Sequence, residues 1–210
     1  MTKKIFALLA SALLVAGAWE TIAQTDQNQR RKAFQASKQM QSLGDFADAV
    51  EVLQPLADAG DDLALYSIAI LYATGGEDLK QDYAKAIGYY QKAAQKNHAG
   101  SLRQLGVMYE KGLGVPASPN QAAQYYEDAA KRGDALAQLI IGRMYASGQG
   151  RPKNNTEAYK WLTLAANGVF YDDETVKRDE TKGSLKTLVA SMTPADINSG
   201  EKLVREFGTK

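Results

Sequence analysis

Apolar and small residues recur through the middle of the chain at helical spacing and with a fixed period. Ala86, Tyr89, Tyr90, Ala93 and Ala94 are followed 36 residues later by Ala122, Tyr125, Tyr126, Ala129 and Ala130. After another 36 come Ala158, Trp161, Leu162, Ala165 and Ala166. Within each set the spacing i, i+3, i+4, i+7, i+8 lays the residues along one face of an α-helix. A shorter set, Leu102, Leu105, Gly106 and Tyr109, marks a helix ahead of the second of these. Its copies begin IAILYATGGEDLK at Ile68, LGVMYEKGLGVP at Leu105 and IGRMYASGQGRP at Ile141. Two helices per unit at this period predict a solenoid, in which each unit buries its apolar face only by stacking on its neighbours.

The small residues predict how the helices meet. Gly106 and Gly142, with Ala69 in the first copy, sit where the paired helix comes closest. Glycine inside a helix costs about 1 kcal/mol against alanine, and close backbone packing is the compensation expected. The pairs Ala93-Ala94, Ala129-Ala130 and Ala165-Ala166 serve the same purpose on the second helix. Between the helices, Gly112, Gly114, Gly148 and Gly150 can take the positive φ of a turn. The second helices then open on capping residues: Asp82, Ser118 ahead of Pro119, and Asn154 with Glu157 three positions on.

At these residues the protein resembles the Sel1-like repeat family, a branch of the tetratricopeptide-type helical repeats. Ser101, Leu105, Gly106, Tyr109, Gly112, Gly114, Val115, Tyr125, Tyr126, Ala129, Ala130 and Gly133 match or nearly match its pattern. The third copy departs at Arg151 and Leu162, and the first at Ala69 and in a loop one residue longer. The resemblance runs from Asp61 to Gly168. It implies an all-α, right-handed α-solenoid of stacked helix-turn-helix hairpins with C-terminal capping helices.

The flanks differ from the repeats. Lys3 and Lys4 precede an uncharged apolar run from Ile5 to Ala18, the layout of a secretory signal peptide. Ala16-Gly17-Ala18 is one cleavage match, and Ala23, which leaves a polar start at Gln24, is the other; the boundary is drawn at 23. The run is shorter than the ~20 apolar residues of a spanning helix. Gln24 to Gln29 is polar and expected to be disordered. Residues 30 to 60 read as a degenerate first hairpin, with Ala33, Phe34, Ser37, Met40 and Leu43 on one helix. Phe46, Ala49, Val50, Leu53 and Leu56 mark the other, and Pro55 falls in its last turn. The full units are 61–97, 98–133 and 134–168. Residues 169–210 predict capping helices, one from Asp172 to Ala190 carrying Val176, Leu185 and Leu188. The last opens at Thr193-Pro194 and carries Ile197, Leu203, Val204 and Phe207. MTPADINSGEKLVREF resembles the closing segment of Sel1-like proteins.

Charge and composition narrow the function. With 25 Lys and Arg against 24 Asp and Glu, the protein lacks the basic excess that nucleic acid requires. There is no cysteine, hence no disulfide, thiol nucleophile or thiolate metal site. His98, the one histidine, is read as a surface residue at a repeat junction. Asp61-Asp62 and Asp172-Asp173-Glu174 stand at helix starts, where negative charge suits the helix dipole. No catalytic, cofactor or metal site is marked. The tyrosines at 89, 90, 109, 125, 126 and 145 recur with the repeat and read as packing first, a stacking platform second.

The expected function is therefore binding. A superhelix of hairpins offers a concave face lined by the first helix of each unit. The resemblance places partner-contacting positions at Tyr66, Ile70, Ala73 and Thr74, at Arg103, Val107, Glu110 and Lys111, and at Leu139, Arg143, Ala146 and Ser147. Arg103, Lys111 and Arg143 could together hold an acidic peptide or a C-terminal carboxylate. The reading is an exported adaptor or regulator, placed in the bacterial periplasm with secretion as the alternative, that binds a protein or peptide and carries no chemistry of its own. The rival readings are a hydrolase or cell-wall-modifying enzyme on a repeat scaffold, and a purely structural envelope protein.

Overall fold

The repeat is built from helices of equal length joined by turns of defined chemistry. In the computed structural model, which describes residues 26–168 and 174–208, each full unit has two helices of 13 residues. They are α3 (Asp62–Thr74) with α4 (Tyr83–Gln95), α5 (Ala99–Lys111) with α6 (Pro119–Lys131), and α7 (Ala135–Ser147) with α8 (Asn155–Asn167). Ahead of them stand α1 (26–43) and α2 (Phe46–Asp58), and after them α9 (Glu174–Val189) and α10 (Pro194–Gly208). No strand occurs among the described residues. Residues of the apolar run Ile5 to Ala18, and Asp172-Asp173, lie outside them.

The second helices open as their sequences predict. The side chains of Asp82, Ser118 and Asn154 accept from the backbone N–H of Lys85, Gln121 and Glu157. The backbone N–H of the same three residues donates to the carbonyls of Tyr72, Tyr109 and Tyr145, at 2.8, 2.8 and 2.9 Å. One bond thus closes every hairpin at the same place, although the first loop is a residue longer. Gly112 and Gly148 end α5 and α7 in the left-handed region, at φ +70° and +83°.

The junction between units is tighter still. Asp61, His98 and Asp134 each donate their backbone N–H to a carbonyl five residues back, at 3.0, 3.2 and 3.2 Å. The residue before each, Gly60, Asn97 or Gly133, has φ of +85°, +68° or +88°. This is a Schellman C-terminus. The same three residues then cap the next helix, their side chains accepting from Ala64, Ser101 and Ala137. A single residue both ends one helix and starts the next. Asn97 is the one non-glycine with positive φ among the described residues, and asparagine is the side chain that best tolerates it.

Stacking buries a continuous core. Leu53, Ile68 and Leu71 pack at one end; Tyr90, Leu105 and Met108 follow; then Tyr126, Ile141, Met144 and Trp161. The closest helix approach falls where small residues predict it. A Cβ at Gly106 would lie 2.7 Å from the ring of Tyr126, and one at Gly142 would lie 2.9 Å from Leu162. Ala69 is fully buried.

The ends depart from expectation in two places. Residues 26–29, expected to be disordered, continue α1 as helix. Arg30 anchors that helix to Asp61 across the junction, so its polar first turn needs no apolar contact of its own. Leu43, placed on the apolar face, is 69% exposed because α1 ends there and turns through Gly44 before a neighbour can cover it. At the other end, Leu188 of α9 seals Leu139 and Leu162. α10 lies along α8, with Phe207 edge-on to Trp161 at 5.3 Å and Gly200 against the ring of Tyr159.

Two alanine substitutions separate close approach from helix propensity. Gly106→Ala forces a methyl into a buried ring and should cost ~1–3 kcal/mol in urea denaturation. Gly88→Ala, in the interior of α4 with nothing within 4 Å of the added carbon, should instead stabilise by roughly 0.5–1 kcal/mol. Equal effects from the two would contradict the packing described.

Candidate interaction surface

The first helices carry the residues expected to meet a partner, and their side chains have three different fates. At the first expected position they tie units together. Arg30 of α1 pairs with Asp61, the cap of α3. Arg103 of α5 donates its Nε to Asp134, the cap of α7, at 3.0 Å. Tyr66 of α3 occupies the same place one unit earlier, its ring 4.4 Å from that of His98, the cap of α5. The Tyr66 hydroxyl also lies against Arg103. The position read as a ligand contact is thus an inter-unit brace. Leu139, its counterpart on α7, is buried beneath α9 and inaccessible to a partner.

Burial and the facing charges set the electrostatics of this brace together. Desolvation alone would lower the Arg103 pKa, but the Asp134 carboxylate outweighs it and holds the guanidinium above its ordinary value. His98 is half-buried rather than a surface residue, because its ring packs under Tyr66. Its Nδ1 accepts from the Ser101 N–H at 3.1 Å and lies 2.9 Å from Ser101 Oγ. That cap requires an unprotonated Nδ1. Burial lowers the His98 pKa, with Arg103 adding to the effect and Asp62 and Asp134 opposing it.

Further along each first helix some side chains stay partly open. Ile70, Ala73, Val107 and Ala146 are half-buried, forming an apolar floor, while Thr74 and Ser147 are more peripheral. Lys111 is exposed and has no ionic partner among the described residues. Glu110 accepts from the Tyr126 hydroxyl at 2.8 Å. That contact, after burial itself, raises the pKa of Tyr126. Arg143 is bound from outside the repeats: it donates to Glu180 at 2.6 Å and to Ser184 at 2.9 and 3.1 Å, both on α9. Of the three cations expected to act together, only Lys111 is uncommitted.

The tyrosines serve packing, as their periodicity indicates. Tyr72 stacks on Tyr89 and Tyr109 on Tyr125, with ring centroids 5.9 and 5.3 Å apart. Among the described residues no group of three His, Asp or Glu is placed to hold a metal ion. No helix there is long and apolar enough to cross a membrane. What the geometry does offer is an extended helical face of apolar and polar side chains.

That geometry has a counterpart among known proteins. The Sel1 repeat family model matches residues 62–98, 99–134 and 135–170, just over half the chain. The chain belongs to the Sel1 repeat family. A solved Sel1 repeat protein from Oxalobacter formigenes is 28% identical with a TM-score of 0.60, the likeness covering 76% of this chain and 64% of that one. The ERAD-associated E3 ubiquitin-protein ligase component HRD3A of Arabidopsis thaliana is 32% identical over 73 residues, 35% of this chain and 11% of that protein. Helicobacter pylori cysteine rich protein B is 26% identical with a TM-score of 0.49, over 61% of this chain and 91% of that one. This chain therefore spans under two-thirds of the first relative and about a tenth of the second. Sel1 repeats are helical scaffolds typical of protein–protein interaction.

The junction residues of this Sel1 repeat protein are only partly legible in its sequence. Asp61 stands out at a helix start, whereas Asp134 and His98 do not announce themselves as caps. The signal that could have found them is a positive-φ residue, Gly60, Asn97 or Gly133, directly before each.

Two measurements test the brace. Because His98 is held neutral when folded, the folded protein binds fewer protons than the unfolded one below pH 6.5, and stability falls as pH drops through that value. His98→Asn keeps a capping acceptor without a titrating group. The gap in urea midpoint between the two proteins should shift in the variant's favour from pH 7.5 to 5.5, and a constant gap would contradict the neutral cap. Arg103→Met leaves Asp134 partly buried and unpaired, and should cost on the order of 2 kcal/mol.

Proposed function

We propose that this Sel1 repeat protein is exported to the bacterial periplasm and acts there as an adaptor or regulator, binding a protein partner along its first-helix face. Support for export is the basic start and apolar run from Lys3 to Ala18. Support for binding is the family's use as an interaction scaffold. The single observation that carries the choice of face is the half-buried apolar floor of Ile70 and Val107 beside Lys111, which no carboxylate among the described residues pairs. An apolar strip beside such a cation suits a segment that is apolar with an acidic residue at its edge. Arg103 is the wrong residue to alter in a binding test, because its loss disturbs the stack itself.

Site-specific crosslinking tests the face. A photoreactive residue at Val107 should give an adduct of defined mass in the native cell, while one at Asn120, exposed on the second helix α6, should not. Lys111→Glu should lower the Val107 adduct at least threefold without changing the melting temperature by more than a few degrees. Equal adducts from Val107 and Asn120, or none, would defeat the reading. N-terminal sequencing of the protein from the periplasmic fraction should begin at Gln24; recovery only from the cytosol with Lys3 and Lys4 retained would defeat export.

A further inference from the structure

The C-terminal cap does more than close the stack. α9 stands beside α7 and α8, and its Glu180 reaches α7 to bind Arg143. Between α9 and the C-terminal half of α7 an open cleft of about 690 Å³ remains. Its α9 side carries Glu180, Ser184, Thr187 and Ser191, spaced i, i+4, i+7 and i+11 along one helical stripe that runs past the helix end. Across from them the turn into α8 contributes Lys153.

The hydrogen-bonding state of this wall is defined. Ser184 donates its hydroxyl proton to Glu180 O at 2.9 Å, Thr187 to Gly183 O at 3.0 Å, and Ser191 to Leu188 O at 2.7 Å. A hydroxyl has one proton to give, so these oxygens have only lone pairs left for the cleft. Ser184 uses its lone pairs on Arg143. Thr187 and Ser191 keep theirs. The wall therefore accepts and does not donate. Opposite it, Lys153 can only donate, and no carboxylate among the described residues pairs with it. Glu180 is shared by Arg143 and Lys177, which leaves Lys153, bordered by Asp196 in a neighbouring pocket, as the cleft cation with no ion-pair partner among the described residues.

We propose that this cleft is a recognition pocket for an extended acidic peptide segment, whose backbone N–H groups donate to Thr187 and Ser191 while a carboxylate pairs with Lys153. The inference rests on the protein-binding reading above and names the chemistry of the partner. A phosphate backbone could pair with Lys153, but it is all acceptor and would set its oxygens against the lone pairs of Thr187 and Ser191. A carbohydrate could supply donors, but none of the described residues lining the cleft has an aromatic ring for it to stack on. The carboxylate could belong to an internal Asp or Glu or to the partner's terminal carboxyl group, and both present the same chemistry.

The test uses the full-length protein in its native cell. A photoreactive residue at Thr187 should crosslink to the partner that Val107 captures. Mass spectrometry of the adduct should find the attached peptide carrying Asp or Glu next to the crosslink, or ending there, which distinguishes the two sources. Lys153→Glu should reduce the Thr187 adduct at least fivefold, and Lys182→Glu, on α9 but outside the cleft, should leave it unchanged. A Val107 adduct without a Thr187 adduct overturns the pocket and leaves the binding face standing. A non-acidic attached peptide, or equal loss from Lys153→Glu and Lys182→Glu, overturns it as well. No adduct from either probe overturns both.

Discussion

Everything in the stack depends on the one-residue handover between units. Asp61, His98 and Asp134 each close a Schellman motif with the backbone and open the next helix with the side chain. No slack remains between a second helix and the first helix that follows, so the angle of each unit to the next is set by local geometry. The 36-residue period and the register of the buried faces follow from that. The positive φ of Gly60, Asn97 and Gly133 is the backbone condition for this handover. A β-branched residue in those places would strain it.

The handover also explains why part of the expected binding face is not free. The caps carry charge or a ring into the space beneath the preceding first helix, and the residue there pairs with them. Arg30 with Asp61, Tyr66 with His98, and Arg103 with Asp134 form one brace repeated down the stack. Stability and binding compete for the same helical position, and stability takes it. Of the positions one and four residues after the small residue, Arg143 is tied to α9 and Glu110 to Tyr126, and Ile70, Ala73, Val107 and Ala146 are left to form the partly open floor.

The middle brace differs chemically from the outer two. The outer caps are carboxylates, whereas the His98 cap works only while Nδ1 is unprotonated. The joint between the first and second full units is therefore the one held by an imidazole acceptor. Nothing comparable is built into the hairpin turns, where the caps Asp82, Ser118 and Asn154 carry no imidazole.

The periodicity of the sequence by itself determined the helices, their buried faces, the close approach at Gly106 and Gly142, the positive-φ turns and the caps of the second helices. All of these are local, or repeat at a fixed interval, so side-chain spacing and backbone preference suffice to place them. The candidate face was legible only as positions. Ile70, Val107 and Lys111 are open in the folded protein, but Arg103 and Arg143 looked no different in sequence. Asp134 lies 31 residues from Arg103, a spacing shared by Arg30 and Asp61 but interrupted by Tyr66 and His98 in the unit between, and Glu180, 37 residues from Arg143, lies beyond the repeats, where no periodic signal reaches. The burial of Leu139 and the α7–α9 cleft arise where the period ends, since the cap packs by contacts the repeat does not encode. Tertiary structure alone decided which charges are spent on the fold and which remain for a partner, because pairing is settled by distance in space and not by spacing in sequence.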